Sequence, residues 1–393
     1  MNDKPTPHPV YLDDAATTRL DPLVADVMCA CLSEGGTFAN PASIHIAGRA
    51  SHALVERARR QVADLLHTIP RTLIFTSGAT ESDNLAIAGA AHFRAYRGRH
   101  LITMPTEHKA VADCFAALER QGFEVSWLDP DRDGLLAASV LEAAIRKDTQ
   151  LVSVMHVNNE TGVIQDLHAI GECCRRHGVL FHCDAAQSAG KLPIDLSELP
   201  VDLLSLTAHK FYGPQGIGAL YVADRPECHI QPLMHGGGQE RRLRPGTLAV
   251  HQIAGFGAAA AIARERQSAD LAHVRRLNER LWSGIKAVPG IARNGTRAHT
   301  FPGILNVSVT GIEGESLMLS LSPLCVASGS ACNSQSGESS YVLRALGLDD
   351  RLAQSAIRFS FGRFTQESEI DFAIARYIAA VSHLRGIMPA LTA

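Results

Sequence analysis

Between residues 70 and 222 the sequence alternates short apolar runs with amphipathic segments. The apolar runs are 73–75, 101–102, 123–127, 151–155, 179–183, 203–206 and 219–222. Short apolar runs separated by helical patterns are typical of buried strands in a parallel sheet. We therefore predict an α/β fold whose large domain has a mostly parallel seven-stranded sheet, with the last two strands closer to a hairpin.

The pattern changes after residue 250. A long Ala-rich helical region at about 252–290 precedes a strand near 304–309, a Ser/Gly-rich loop near 327–340 and a terminal helix near 366–385. These elements predict a second, smaller α+β domain. We divide the chain into an N-terminal segment 1–18 that packs with the small domain, a large domain 19–262 and a small domain 263–393.

Composition excludes several classes of protein. The 393 residues include 37 Lys and Arg against 40 Asp and Glu, a formal net charge of −3. This balance argues against direct nucleic-acid binding and against a polybasic membrane-surface protein. No run approaches the roughly 18 apolar residues of a membrane helix, and no secretion signal is evident. Nine cysteines in such a chain indicate reduced thiols. We expect a cytoplasmic protein without a membrane or metal site.

The segment 76–82 is a candidate phosphate site. It reads TSGATES, follows a predicted strand and opens a predicted helix. Backbone N–H groups at a helix start, together with small and hydroxyl side chains, can hold a phosphate. An ordinary capped turn, with Ser77 or Thr80 as the N-cap, explains the same residues. A Walker loop is absent, and the glycines of segment 213–218 are in the wrong order for G-x-G-x-x-G, so nucleotide binding is not favoured.

Two further residues follow neighbouring predicted strands. Asp184 ends one strand, at the edge where open parallel sheets bind ligands, although it could simply cap the next turn. Lys210 follows the next strand among aromatic, apolar and Gly/Pro residues, which favours a partly buried amine over a solvated charge. A phosphate cradle, an imine-forming lysine and a carboxylate for a pyridine nitrogen together meet the needs of pyridoxal 5'-phosphate.

With these motifs in place, the chain closely resembles the cysteine desulfurases of the IscS/NifS group, which belong to fold type I of the pyridoxal-phosphate enzymes. The resemblance runs nearly end to end. Besides the segments around residues 76–84, 184 and 210, it is carried by YLDDAATT (11–18), NPAS (40–43), TEHK (106–109), MHVNNETG (155–162), HGGG (235–238), SGSAC (328–332) and IRFSFGRF (357–364).

The resemblance implies a homodimeric enzyme that takes sulfur from L-cysteine and leaves L-alanine and a persulfide on Cys332. It assigns the imine to Lys210, and ring stacking and proton transfer to His108. The remaining cofactor-binding residues are Asp184 at the ring nitrogen, Gln187 and Asn159 at the phenolic oxygen, and Ala79, Thr80, Thr207, His209 and, from the other subunit, Thr247 at the phosphate. Arg358 would bind the substrate carboxylate, and the substrate-binding set also includes Asn40 and Asn159.

The sulfur would pass to an acceptor protein in iron–sulfur cluster assembly, tRNA thiolation or DNA phosphorothioation. The chain lacks the long acidic and aromatic tail of the housekeeping members, so docking of an iron–sulfur scaffold protein is less expected. Departures from the family pattern are Thr207-Ala208 in place of Ser-Gly, and Pro245 in place of a small residue. The alternatives are a selenocysteine lyase, an aminotransferase on the same fold, and a catalytically silent sulfur-handling scaffold.

Overall fold

The computed structural model describes residues 9–328 and 339–387. Within these ranges the strands are β1 (Val10–Tyr11), β2 (Leu73–Thr76), β3 (His100–Thr103), β4 (Glu124–Trp127), β5 (Thr149–Ser153), β6 (Leu180–Asp184), β7 (Leu203–Thr207), β8 (Gly218–Val222), β9 (Ile291–Arg293), β10 (Ile304–Val309), β11 (Leu324–Cys325), β12 (Ala327–Ser328) and β13 (Ile357–Ser360).

The α-helices of the same ranges are α1 (Pro22–Leu32), α2 (Ile46–Leu65), α3 (Ala79–Phe93), α4 (Lys109–Arg120), α5 (Ala138–Ala144), α6 (Leu167–Arg176), α7 (Val250–Ile285), α8 (Gly314–Ser320), α9 (Tyr341–Ala345), α10 (Asp350–Gln354) and α11 (Glu367–Ile387). Short 3₁₀ turns occupy Pro70–Thr72, Ala208–Lys210 and Gln239–Arg242. Among the described residues we find no helix that is both long and apolar enough to span a lipid bilayer.

The large sheet has the order β2-β8-β7-β6-β5-β3-β4. Its neighbouring strands are parallel except at β8, which is antiparallel to both β7 and β2. The seven predicted apolar runs form these seven strands, so the predicted α/β fold with its mostly parallel sheet is confirmed. The last pair is antiparallel because segment 208–217 is shorter than the dozen or so residues that a parallel crossover needs.

Helices cover the large sheet and remove its central strands from water. Every residue of β5, β6 and β7 is buried, which explains why these strands read as continuous apolar runs rather than alternating ones. Helix α3 packs across β5 to β8, and α1 and α2 pack against α7. The strands β2, β3, β5, β6 and β7 point in one direction, so their carboxyl ends meet at one edge of the sheet.

A second sheet, in the order β12-β13-β10-β9, is antiparallel and lies in the C-terminal part of the chain. The N-terminal segment joins this part, because β1 pairs with β11 and Leu12 is buried in the second hydrophobic core. Helix α7 serves both cores: Phe256 packs in the large one and Leu281 in the small one. The predicted boundary between residues 262 and 263 thus falls inside one continuous helix, and the division into domains stays a prediction.

A buried ion pair fixes the segment that follows β8. The guanidinium of Arg59 on α2 donates to both carboxylate oxygens of Glu240, at 2.9 and 2.7 Å. The same carboxylate accepts the backbone N–H of Phe75 in β2 at 2.7 Å. Glu240 also begins three consecutive residues with positive φ, at 45°, 56° and 64°. Left-handed backbone is costly for residues other than glycine, so the ion pair stabilises a turn that local preference would not form.

Replacing Glu240 by alanine removes the bidentate partner of the buried Arg59 guanidinium and leaves Glu56, at 3.1 Å from Nε, as its remaining carboxylate. We expect the Glu240→Ala variant to lose about 3–5 kcal/mol of unfolding free energy, the range typical of breaking a buried ion pair. Urea denaturation followed by circular dichroism measures the change. The matched control is Asp224→Ala, which removes the exposed pair between Arg71 and Asp224 and is expected to cost under about 1 kcal/mol. Equal losses in the two variants would contradict this interpretation.

Candidate functional site

A cleft of about 700 Å³ opens at the carboxyl edge of the large sheet. It brings together most of the site residues predicted from the sequence, although they come from distant parts of the chain. These residues are Ala79, Thr80, His108, Asn159, Asp184, Gln187, Thr207, His209, Lys210 and Arg358. The N-terminal segment 13–17 adds further lining through Asp13, Ala15, Ala16 and Thr17. Parallel strands deliver their carboxyl ends to one edge, and that common edge is the physical reason for the convergence.

The predicted phosphate cradle lies between the end of β2 and the start of α3. Gly78 occupies the N-cap position with φ 156°, and no side chain among the described residues caps the helix. Neither Ser77 nor Thr80 is therefore the N-cap of α3, and the alternative of an ordinary capped turn does not hold. An uncapped helix start carries unsatisfied N–H groups and the positive end of the helix dipole, and both favour an anion.

Glu81 links this cradle to the segment that carries Thr247. Its carboxylate accepts the backbone N–H of Ser77 at 2.6 Å and the Nε–H of Arg244 at 2.9 Å. Burial by itself would raise the pKa of Glu81, but the hydrogen bonds from Arg244 and Ser77 outweigh it, so the pKa lies below its usual value. Glu81 is thus ionised near neutral pH and connects Ser77, in the predicted phosphate cradle, to Arg244, in the segment of Thr247.

Asp184 lies at the floor of the cleft, at the end of β6. Its carboxylate accepts one hydrogen bond, from the backbone N–H of Ala186 at 2.8 Å. Burial raises the pKa of Asp184 above its usual value, while His108, the Ala186 N–H and Lys210 oppose the rise. A buried carboxylate in this situation gains from a further cation placed beside it, and a protonated ring nitrogen is such a cation.

Lys210 ends the 3₁₀ turn that follows β7. Its ammonium donates to the carbonyl oxygens of Ala15 and Ala16, at 2.5 and 2.8 Å. The N-terminal segment therefore holds the amine in the cleft, within electrostatic reach of Asp184. Lys210 is half-buried and lines the cleft, as the sequence-based expectation of a partly buried amine has it.

His108 is the N-cap of α4. Its Nδ1 accepts the backbone N–H of Ala110 at 3.1 Å, so the neutral ring carries its proton on Nε2. Burial lowers the pKa of His108, Asp184 opposes the change and Lys210 adds to it. His108 is neutral near pH 7, and Nε2 is the ring atom available for a hydrogen bond.

His209 and Thr207 line the cleft, and Thr207 lies next to Gly78 of the predicted phosphate cradle. Burial lowers the pKa of His209 to about 4, with Lys210 and Lys191 adding to the effect, so the ring is neutral. Its Nδ1 lies 3.1 Å from the hydroxyl of Thr17. Thr207 donates its hydroxyl hydrogen to the carbonyl of Ile217 at 3.2 Å, which leaves the oxygen able to accept.

Arg358 crosses the cleft between the two sheets. Its Nη1 donates to the carbonyl of Asn159 at 2.8 Å and its Nη2 to the carboxylate of Asp13 at 2.7 Å. The Nε of Arg358 and the Oδ1 of Asn159 are buried without a hydrogen-bond partner among the described residues. Unsatisfied buried polar atoms are costly, so both atoms are candidates for contact with a bound ligand.

Two predicted site residues that the structure describes do not line this cleft. Asn40 is exposed and lines a separate cleft of about 620 Å³ beside Arg59 and Glu240. Thr247 is exposed and does not line the cleft of its own chain. Cys332 lies outside the described residues. The roles of these three residues, and those of the residues in the cleft toward a cofactor or substrate, stay predictions.

The comparison with known proteins identifies the family. The family model described as aminotransferase class-V matches residues 10–372. The chain belongs to this aminotransferase class-V family. A relative named cysteine desulfurase IscS, from Proteus mirabilis (strain HI4320), is 56% identical over 382 residues, covering 97% of this chain and 95% of the relative. The predicted membership of the IscS/NifS group is confirmed.

Solved structures support the same placement within the class-V family. A structure titled NifS-like protein superposes with a TM-score of 0.89 at 37% identity and covers 96% of this chain and all of its own. A structure titled SspA in complex with cysteine has a TM-score of 0.80 at 37% identity, over 91% of this chain and 99% of its own. This class-V chain is an enzyme that depends on pyridoxal 5'-phosphate.

The residues of the cleft fit that cofactor. The uncapped start of α3 suits its phosphate, the buried carboxylate of Asp184 suits a protonated ring nitrogen, and the orphaned Oδ1 of Asn159 offers a further polar contact. Gly218 permits the cradle to lie against β8, because a Cβ there would meet the Gly78 Cα at 2.7 Å. Asp184, His108 and Lys210 all line the cleft and would hold the ring of this cofactor.

Sequence reasoning missed two acidic residues that shape the cleft. Asp13 pairs with Arg358 across 345 positions of the chain, and Glu81 pairs with Arg244 across 163 positions. Both stand within motifs quoted above, YLDDAATT and TSGATES. An acidic residue among small residues was the only sign of either role in the sequence. Their arginine partners lie too far away along the chain for motif spacing to reveal the pairs.

A group of possible metal ligands occurs elsewhere among the described residues. Ligand atoms of Glu142, Cys173 and His177 lie within 4.8 Å of one another on α5 and at the end of α6. None of the three lines the cleft, and Glu142 already pairs with Arg176 at 3.2 Å. This group belongs to the outer surface and not to the candidate active site.

Removing the carboxylate of Asp184 tests its fit to the ring nitrogen. We expect Asp184→Ala to weaken pyridoxal 5'-phosphate binding by about tenfold or more, since one lost charge interaction of about 1.4 kcal/mol has that effect. Titration of the apo protein with cofactor, followed by absorbance, gives the affinity. Asp64→Ala, which changes an exposed aspartate of α2, is the control and should bind as the parent does. Unchanged affinity in Asp184→Ala would remove Asp184 from the cofactor site.

Proposed function

We propose that this enzyme is a cysteine desulfurase that converts L-cysteine to L-alanine and leaves the sulfur as a persulfide on Cys332. The observation that carries the proposal is the convergence in one cleft of Lys210, Asp184 and His108 with Arg358. These groups supply an amine, an acid, a neutral imidazole and a carboxylate-binding guanidinium. Relatives named cysteine desulfurase, and a similar structure titled as a complex with cysteine, support cysteine as the substrate.

Arg358 binds the substrate carboxylate in this proposal. A guanidinium can form two parallel hydrogen bonds to a carboxylate, which fixes orientation as well as charge. Two of its nitrogens already bond to Asn159 and Asp13, and the third, Nε, has no partner among the described residues. Asp13 thus holds the guanidinium in place across the cleft before the substrate arrives.

Proton movement falls to Lys210 and His108. Bound pyridoxal 5'-phosphate supplies an electron-withdrawing ring that stabilises negative charge on the substrate α-carbon. Lys210, which lines the cleft, removes the α-proton through its Nζ as the neutral amine. His108 is neutral near pH 7, and with its Nδ1 occupied by the backbone it moves a proton through Nε2.

Sulfur transfer uses the thiolate of Cys332. The thiolate attacks the sulfur of bound cysteine, the carbon–sulfur bond breaks and a sulfur–sulfur bond forms on the enzyme. The carbon left behind takes up a proton, so one cysteine and one enzyme thiol yield one alanine and one persulfide. The assignment rests on the SGSAC segment at 328–332 and its resemblance to the desulfurase family.

The persulfide then passes to a sulfur-acceptor protein. Iron–sulfur cluster assembly, tRNA thiolation and DNA phosphorothioation all begin with this desulfurase step, so the proposal specifies the reaction and leaves the acceptor to be identified by sulfur-transfer assays. A protein acceptor is favoured over direct contact with nucleic acid, because the chain has a net charge of −3.

Mass spectrometry after incubation with L-cysteine tests the reaction and the nucleophile together. We expect the peptide containing Cys332 to gain the mass of one sulfur atom while alanine forms. Cys332→Ala should lose sulfide release yet keep the cofactor absorbance, because the lysine and the ring site are unchanged. Cys29→Ala, which removes an exposed free thiol on α1, is the matched control and should keep full activity.

The same experiment separates the alternatives. Transamination of cysteine without added sulfur on the protein would favour an aminotransferase, and Cys332→Ala would then stay active. Absence of a yellow cofactor band and of any alanine would favour a silent scaffold. Selenocysteine as the preferred substrate, with cysteine turned over poorly by the parent enzyme, would favour a selenocysteine lyase.

We also propose that two copies of this chain form the active enzyme. Thr247, exposed and outside its own cleft, reaches the phosphate site of the second copy in this arrangement. Leu248, the residue after Thr247, lines the second cleft together with Asn40. Close to Asn40 in sequence, Phe38, Ile44 and Ile46 are apolar side chains that are 76%, 89% and 80% exposed. A second copy would cover these side chains.

Ile44 tests this dimer surface. We expect Ile44→Asp to weaken self-association by tenfold or more, since it places a charge in an apolar contact that burial would desolvate. Analytical ultracentrifugation over a concentration series measures the change. Tyr96→Asp, at an equally prominent site with 79% exposure after α3, is the control and should leave the dimer intact. A monomeric parent protein, or a fully dimeric Ile44→Asp, would contradict the assignment.

A further inference from the structure

We propose that Lys191 is a positioning residue that fixes the side-chain amide of Gln187, so that Gln187 presents an N–H group and not its carbonyl oxygen to the cofactor. This inference rests on the proposed function, in which Gln187 contacts the phenolic oxygen of pyridoxal 5'-phosphate. Lys191 is partly buried and lines a small cavity behind the cleft, together with Asp14, Tyr212 and Phe301.

The hydrogen bonds of Gln187 determine which way its amide points. The ammonium of Lys191 donates to Oε1 of Gln187 at 3.1 Å. The Nε2 of Gln187 donates to the carbonyl of Ala15 at 2.7 Å. In its protonated form Lys191 cannot accept a hydrogen bond, and the backbone carbonyl of Ala15 cannot donate one. The opposite orientation would therefore place two donors together and two acceptors together.

The amide nitrogen has a second hydrogen that Ala15 does not use. Because Gln187 lines the cleft, this hydrogen is the one available to a ligand there. A donor next to an oxygen stabilises its negatively charged form, whereas an amide carbonyl in the same place would destabilise it. Lys191, together with the carbonyl of Ala15, thereby sets which group of Gln187 faces the cofactor, although Lys191 itself does not line the cleft.

The position of Lys191 is fixed by the glycine before it. Gly190 has φ 73°, a conformation that favours glycine, and a Cβ there would lie 2.7 Å from the ring of Phe211. The backbone N–H of Lys191 also bonds to the carbonyl of Ser188 at 2.9 Å. The turn therefore returns the lysine toward Gln187, four residues earlier in the chain.

The surroundings of Lys191 are mostly cationic. Burial lowers its pKa to about 7; Lys210 and Arg358 add to the decrease and Asp14 opposes it. Burial in turn raises the pKa of Asp14 to about 7, against the influence of Lys191 and Arg19. The ring of Phe301 faces the ammonium at 5.6 Å. Burying a positive charge beside other positive charges costs folding free energy. This cost supports a role for Lys191 in its contact with Gln187.

The test is a pH titration of the visible absorbance of the cofactor-loaded dimeric protein. That absorbance reports protonation at the bond between cofactor and lysine, and a donor at the phenolic oxygen lowers the midpoint. We expect Lys191→Met to raise the midpoint by about one pH unit, equivalent to a tenfold change in proton affinity. Lys191→Arg keeps a donor and should titrate within a few tenths of a unit of the parent.

A double-mutant cycle with Gln187→Ala distinguishes action through the amide from direct action of the charge. If Lys191 works through Gln187, Lys191→Met should have little further effect in the Gln187→Ala background. A full shift in that background, or an unchanged midpoint in Lys191→Met alone, would overturn the proposal. Absence of any visible band in the parent protein would instead overturn the proposed function.

Thermal unfolding of the apo proteins checks that each variant is folded. Should Lys191→Met fail to fold, Lys191→Ala is the second variant, since it leaves extra space beside the cavity rather than inserting an apolar chain. The same rise in midpoint is expected from it. A folded Lys191→Ala with the midpoint of the parent would reject the positioning role.

Discussion

The carboxylate of Asp184 is the constraint on which the site depends, because it is buried with two other acids nearby. Asp83 on α3 and Glu107 before α4 are fully buried, and burial raises the pKa of each well above its usual value, with Asp184 adding to the effect. His182 offers no compensating charge, since burial lowers its pKa to about 3. Of these three acids, Asp184 lines the cleft and is close to His108 and Lys210. A cation bound in the cleft can therefore keep Asp184 ionised.

The N-terminal segment is the second element on which the cleft depends. The carbonyl of Ala15 accepts hydrogen bonds from both Lys210 and Gln187, and the carboxylate of Asp13 pairs with Arg358. The same segment is anchored to the small sheet, where the N–H of Ala15 bonds to the hydroxyl of Ser360 at 2.9 Å. A short stretch outside the seven-stranded sheet thus sets the positions of three groups in the cleft.

Much of the fold could be predicted from the sequence because parallel strands are buried on both faces. The seven apolar runs became β2 to β8, and the strand near 304–309 became β10. Helix starts were less predictable. Helix α2 begins at Ile46, because the ring of His45 caps it by accepting the N–H of Gly48. A histidine is seldom considered as an N-cap, so this signal was not used.

The candidate site could be predicted in part. Lys210 and Asp184 follow consecutive strands, and the rule that strand ends meet at one edge places them together. Lys191 was not found, because its effect on Gln187 depends on the turn at Gly190 and on a carbonyl from the N-terminal segment. The sequence by itself determined the strands of the sheet and the groups that follow them, since apolar runs and the residues after them are local features of the chain. Tertiary structure alone decided the hydrogen-bond partners and charge states of those groups, since these depend on contacts between segments up to 345 positions apart.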